Sequence, residues 1–165
     1  MVSIFSKQAG VHHDQYLGYW LNAYVGYVSA DGWRSRGSSG GMVSWLASKM
    51  LEDGLVDAVI QVKDGPDPEH MYTYQVSHNV DELKTGAKSK YYPIEMSEVL
   101  SYVREHDGKY LFIGIPCFVK AIRLLCRQDE VLNKRIRYCI GLVCGHLKSD
   151  FFAKSRGMGV RCSPR

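Results

Sequence analysis

Apolar residues along this chain switch between two spacings, and each switch marks an element. From Trp20 the run WLNAYVGYVSADG alternates and stops at Asp31-Gly32, which predicts a strand over Tyr24–Val28. The next stretch, RSRGSSGGMVSWLASKMLEDG, changes to helical spacing at Val43, Leu46, Ala47 and Met50, with Ser38 or Ser39 as N-cap and Gly54 as the stop. LVDAVIQV reads as a buried strand, Asp64–Pro68 as a turn and Met71–Val76 as a further strand. Asn79–Leu83 is at most a short helix, and TGAKSKYYPI is a loop. Met96, Val99, Leu100 and Val103 predict a helix capped by Ser97 and closed by Asp107-Gly108. Tyr110–Ile113 is a strand, and Pro116 fits the first turn of a helix burying Phe118, Ala121, Ile122 and Leu125. After a loop, Ile136–Val143 is a strand again, and a last helix starts near Ser149. The first 20 residues carry little pattern, and His12-His13-Asp14 reads as a loop. Strands alternating with helices predict an α/β domain, its sheet mostly parallel or mixed and flanked by helices.

Composition narrows the class without naming a function. The chain has 165 residues, 45% of them hydrophobic and 23% charged, which is ordinary for a globular domain. A net charge of +4 is too mild to imply nucleic acid. No apolar run approaches the roughly 20 residues of a membrane span. The N-terminus has no apolar core of a secretory signal. Five cysteines, an odd number, lie in the C-terminal third: Cys117, Cys126, Cys139, Cys144 and Cys162. A small secreted scaffold would pair its cysteines, so a reducing cytoplasm is the expected compartment.

Two of these thiols stand at ligand-binding positions. Cys117 would be the second residue of its helix, where the helix N-terminus favours the thiolate. Cys144 follows the next strand. In a right-handed strand–helix–strand unit both fall on the carboxyl edge of the sheet, where open α/β sheets bind ligands. The predicted strand Tyr24–Val28 would bring Ser38, Ser39, Gly40 and Gly41 to the same edge. Glycines and hydroxyls at a helix N-terminus suit a phosphate, and equally suit a serine cap with tight glycine packing. The loop Lys88-Ser89-Lys90-Tyr91-Tyr92 would hold a phosphate or cover a planar ring, or lie solvated with its tyrosines packed. Cys126 and Cys139 read as packing residues. No C-x-x-C occurs, so spacing alone gives no zinc ribbon or ferredoxin-type cluster.

Taken in order, SSGGMVSWLASKMLEDGLVDAVI, GAKSKYYPI, YLFIGIPCFVKAIRLL and IGLVCGH resemble the beta subunit of coenzyme F-420 hydrogenases and dehydrogenases, a family that includes beta-type formate dehydrogenase flavoproteins. The resemblance runs from about Tyr24 to Asp150. It implies an N-terminal segment over residues 1–23, a flavin-binding α/β domain over 24–150 and a short tail over 151–165, with the family's C-terminal part beyond this chain. It further implies FAD at Ser38, Ser39, Gly40, Gly41, Ser89, Lys90 and Tyr91. Cys117 and Cys144 become ligands of a 4Fe-4S cluster, completed by Cys126, Cys139 or a partner chain. The implied function is an oxidoreductase subunit passing electrons between an iron–sulfur relay and coenzyme F-420 or a similar acceptor. The implied partner is a redox subunit or ferredoxin-like protein. Two other readings stay open: a shortened, non-catalytic binding or assembly module that docks or oligomerises, and a thiol enzyme with Cys117 as nucleophile and His146 as base.

Overall fold

The computed structural model describes residues 6–30, 32–145 and 148–159. A small hairpin, β1 (His12–Asp14) and β2 (Gly18–Trp20), comes first. Asp14 organises it. One carboxylate oxygen accepts the backbone N–H groups of Tyr16 and Leu17, and the other accepts the Trp20 indole N–H at 2.7 Å. The polar stretch expected to be a loop is therefore a strand, closed by an aspartate turn.

Residues 22–29 form no strand, which corrects the prediction over Tyr24–Val28. Tyr24 and Val25 are exposed, and the Val28 N–H donates to Gly40 O rather than to a sheet neighbour. A short helix α1 (Trp33–Arg36) and the longer α2 (Met42–Glu52) follow. The N-cap of α2 is Gly41 in the left-handed region (φ 75°), with no side-chain cap. A Cβ at Gly41 would lie 2.6 Å from Trp33 O, so only glycine fits there. Neither Ser38 nor Ser39 caps α2. Gly54 (φ 66°) turns the chain after it, as expected.

The main sheet contains β3 (Ala58–Asp64), β4 (Tyr72–Ser77), β5 (Tyr110–Gly114) and β6 (Ile136–Gly141), in the order β4-β3-β5-β6. β4 is antiparallel to β3, while β5 runs parallel to both β3 and β6. The sheet is mixed, within the predicted class. β5 is buried along its whole length, which explains its unbroken apolar sequence.

Alternation along the strands divides the core into two layers. Val59, Leu111 and Ile113 face α2 and α3 (Val80–Thr85), packing with Ala47, Met50 and Leu83. Ile60, Tyr74, Tyr110 and Phe112 face the opposite layer, packing with Val99, Val103, Ile122 and Leu132. That layer consists of α4 (Ser97–Glu105), α5 (Pro116–Leu125) and α6 (Glu130–Arg135). Each fully buried large apolar side chain here contributes roughly 1.5–3 kcal/mol. The helix α6, capped by Asp129, occupies what was expected to be loop. Ser97 is the first residue of α4 rather than its cap. A final helix, α7 (Asp150–Gly159), closes the described chain.

Candidate functional site

Chain direction places the candidate residues. β3 and β5 run parallel, so Asp64 and Gly114 end on one edge of the sheet. α2 enters β3 through the short connection at residues 53–57, so its other end, with Gly41, points back to that same carboxyl edge. The strand once expected at Tyr24–Val28 plays no part in this. Instead, Gly40 packs on the extended segment, where a Cβ would lie 3.1 Å from Gly26 O. Both glycines thus serve close backbone approach.

The two loops singled out in the sequence meet. The Ser89 N–H donates to Ser38 Oγ at 2.8 Å, across 51 residues of chain. Ser38 keeps its hydroxyl hydrogen to donate elsewhere. Beside this contact, α2 begins without a side-chain cap, so its first N–H groups have no intrahelical acceptor. Lys88 is the one non-glycine residue with positive φ (74°) among the described residues. The Lys90 ammonium lies 3.0 Å from Asp64 Oδ1 and 5.0 Å from the centre of the Tyr72 ring. Tyr91 is half-exposed and meets the Phe152 ring of α7 edge-on at 5.9 Å. Ser39 is exposed beside them. Helix N-terminus, hydroxyls and lysines form a donor set whose chemistry fits a pyrophosphate.

The thiols separate into two kinds. Pro116 opens α5 and Cys117 follows it, as the sequence predicts, and Cys117 is exposed. Cys144 is also exposed, three residues past the end of β6, where the Leu142 N–H donates to Gly114 O and ties the two strand ends together. Tyr74 reaches this edge: its phenol is held protonated far above the usual range, first by burial and then by the nearby Cys117. Gly114 lets it approach, since a Cβ there would lie 2.8 Å from the Tyr74 hydroxyl.

Cys126 caps the far end of α5 and is buried. Nine residues at 1.5 Å rise put it about 14 Å from Cys117 along the helix. Cys139 lies inside β6, paired with Phe112 and packed against the α4–α6 layer. Burial pushes both thiols up. Cys126 therefore lies too far along α5 to join Cys117 in one cluster, while Cys139 packs in the apolar layer. Among the described residues no three His, Cys, Asp or Glu side chains converge on a metal position. The described residues therefore do not fit a complete four-thiolate cluster. His146, proposed as a base for Cys117, and Cys162 lie outside the described residues.

Two participants escaped the sequence reading. Asp64 looked like a turn residue, yet it holds Lys90. Tyr72 looked like alternating strand sequence, yet its ring carries the Lys90 ammonium. A lysine-bearing loop able to cross a tyrosine strand was the available signal.

Comparison with known proteins converges on one family. Residues 23–101 match the model for "Coenzyme F420 hydrogenase/dehydrogenase, beta subunit N-term", and residues 107–161 match that for the same subunit's "C terminus". The second match corrects the expectation that the family's C-terminal part lies beyond this chain. The F420-dependent formate dehydrogenase 1 subunit beta of Methanococcus maripaludis is 28% identical over 110 residues, covering 67% of this chain and 28% of that protein. An uncharacterised protein of Methanocaldococcus jannaschii is 32% identical over 80 residues, covering 48% of this chain and 30% of that protein. A chain in the xenon-derivatised structure of the F420-reducing [NiFe] hydrogenase complex from Methanosarcina barkeri superposes with a TM-score of 0.73 at 20% identity, covering 87% of this chain and 51% of its own length. This chain thus spans under a third of those curated relatives and about half of the structural neighbour. No helix among the described residues is long and apolar enough to cross a membrane.

Proposed function

The chain belongs to the coenzyme F420 hydrogenase/dehydrogenase beta-subunit family, and we propose that it is a flavin-dependent redox subunit exchanging electrons with coenzyme F420 or a similar acceptor. The observation that carries this reading is the hydrogen bond from the Ser89 N–H to Ser38 Oγ. It joins the two loops the family resemblance assigns to FAD, beside the uncapped start of α2.

Ser38, Ser39 and the α2 N–H groups would bind the FAD pyrophosphate, with Gly40 and Gly41 shaping the turn and Ser89, Lys90 and Tyr91 closing over it. When bound, the flavin supplies the chemistry that links two-electron hydride transfer to single-electron steps. The residues of this chain supply binding and orientation. Lys90 holds its place through Asp64, and Lys88 adds a second positive charge to the loop. Cys117 and Cys144 are the two thiols that a cluster shared with a partner subunit would use.

The test is anaerobic purification followed by absorption spectroscopy and separate assays of flavin and iron. About one FAD per chain, taken up during purification or on reconstitution, is the expected result. Protein that stays colourless after incubation with FAD would sink the proposal. Four irons per isolated chain would mean that residues outside the described ones complete a cluster.

A further inference from the structure

β6 is the last strand of the main sheet, and among the described residues no strand pairs with its outer edge. Alternate residues of Ile136–Gly141 therefore point backbone N–H and C=O groups sideways, away from β5. Arg137, Tyr138 and Gly141 are exposed, and Cys139 and Ile140 are half-buried. Open edges are commonly blunted by a proline or a bulge. β6 has no proline, and its one irregularity lies at its start. From Tyr138 to Gly141 it runs in register with β5, a regular edge with nothing beside it.

The two faces flanking this edge differ. On one, Tyr138 is 43% exposed and stands in line with Ile140 and Leu142, which pack at the rim of the α2 layer. On the other lies α5, whose ten residues include no acid. Lys120, Arg123 and Arg127 follow one another at three- and four-residue spacing and share one stripe. Burial raises the Cys139 thiol and the Arg123 guanidinium opposes it, which puts Arg123 beside β6. Arg137 adds a fourth cation from the strand itself. None of these four pairs with an acid among the described residues, whereas Arg104 and Arg135 do. From Pro116 to Cys144 there are six lysines and arginines against two acids, and Asp129 is already taken by Arg104. A second copy of this chain would bring another basic edge against this one, and like charges set face to face are costly. A strand bearing acids meets the edge without that cost.

We propose that the outer edge of β6 docks an extended acidic segment of a partner protein, which joins the sheet as a further strand. Its side chains alternate between the two faces. Acidic residues meet the α5 stripe and Arg137, and apolar residues meet Tyr138, Ile140 and Leu142. Main-chain hydrogen bonds supply the attachment, and the alternation supplies the selectivity. The proposal is independent of the flavin reading, because the edge shares no residue with the Ser38 and Ser89 loops.

The probe is a synthetic peptide of about eight residues, a common strand length, alternating glutamate with valine. A lysine–valine peptide is its counterpart. Each is titrated into the isotope-labelled full chain, with amide shifts and hydrogen exchange read by nuclear magnetic resonance. The glutamate peptide should shift the β6 amides and slow exchange of the outward ones, and the lysine peptide should bind about tenfold more weakly or worse. Methylating the glutamate peptide's alternate backbone nitrogens, in the register that faces β6, should abolish binding. Arg123→Glu combined with Arg137→Glu should invert the preference between peptides. Should that variant fail to fold, Arg137→Glu alone, at an exposed position, should narrow it. Equal binding of the two peptides to the unmodified chain overturns the proposal, as does binding of neither. Shifts confined to residues away from β6 also overturn it. A dimer of the free chain with its β6 amides already protected gives the edge to a second copy and overturns it as well.

Discussion

Helix α5 has a thiol at each end, and the two ends could hardly differ more. At its start Cys117 is exposed at the carboxyl edge of the sheet, with Cys144 exposed at the end of the neighbouring strand. At its finish Cys126 is buried, with Cys139 in the same apolar layer. The surroundings follow the same division. At the amino edge the backbone is pinned by charged side chains. Asp57 accepts the Lys109 N–H at 2.7 Å, and Arg135 donates to the Val103 and Arg104 carbonyls at 2.8 Å while pairing with Asp107. At the carboxyl edge the loops are joined by a few exposed contacts, Ser89 to Ser38 and Lys90 to Asp64. One edge is closed by stabilising contacts and the other is held by few, the division expected if the proposed binding elements come from the less stable part of the fold.

The largest test of this contrast is thiol labelling. Under native conditions a maleimide should modify Cys117 and Cys144 directly. Cys126 should wait for the fold to open, about a thousandfold more slowly or beyond, given global stabilities of roughly 5–15 kcal/mol. Mass spectrometry of labelled peptides reads both rates from one sample. Labelling of Cys126 within tenfold of Cys117 would erase the distinction between the ends.

Next comes packing along the same helix. Ile122 is fully buried midway along α5, and Ile122→Ala should cost about 2–5 kcal/mol. Cys117→Ser, in the first turn at the exposed end, should stay within about 0.5 kcal/mol. Urea midpoints at unchanged slope check both. A Cys117→Ser loss matching that of Ile122→Ala would make the carboxyl edge part of the core.

A smaller contrast separates the ion pairs. Arg135→Met strips the last carbonyls of α4 of their donor and should cost about 1–3 kcal/mol. Lys90→Met removes a pair whose Asp64 partner is 75% exposed and should cost under about 1 kcal/mol. Lys90→Met should instead weaken FAD uptake. Equal stability losses in urea would show that the carboxyl edge is braced as firmly as the amino edge.

Much of this division was legible in the sequence where burial is complete. β5 and α5 were readable because an unbroken apolar run, a proline at the first helical position and a helical apolar face all agree. The nearness of the loops at Ser38–Gly41 and Ser89–Tyr91 came from the family resemblance, and the Ser38–Ser89 contact joins them. Residues 24–28 misled because alternation marks extended chain and does not reveal whether a partner strand exists. With Tyr24 and Val25 exposed, this segment lies across the Gly40 turn instead. The serine cap misled because a left-handed glycine can begin a helix without any side chain. α6 was hidden by its length: six residues, with Leu132 its one buried side chain, carry too little period to read. The roles of Tyr72 and Tyr74 were hidden because both fit a strand pattern whether or not a loop crosses above them.

The smallest expected effect concerns pH, and it belongs to the buried end. Burial raises the Cys126 thiol above its ordinary value of 9.0, with Arg123 opposing in part. A thiol that ionises later in the folded chain than in the unfolded one binds more protons in the native state at alkaline pH. Its contribution is complete below about pH 9 and is lost as pH rises through the folded value, because the unfolded chain ionises first. Stability should therefore decline from about pH 9 upward, ahead of the buried Tyr74 and Tyr110 phenols, whose ordinary value is 10.0. Urea unfolding at closely spaced pH values shows this slope. Burial raises Cys139 from the same ordinary value, so Cys126→Ala removes one of two thiols titrating here and should make the first part of the decline shallower while lowering stability at pH 7 slightly. An unchanged slope in that variant would mean that Cys126 meets solvent more readily than its place at the closed end of α5 allows.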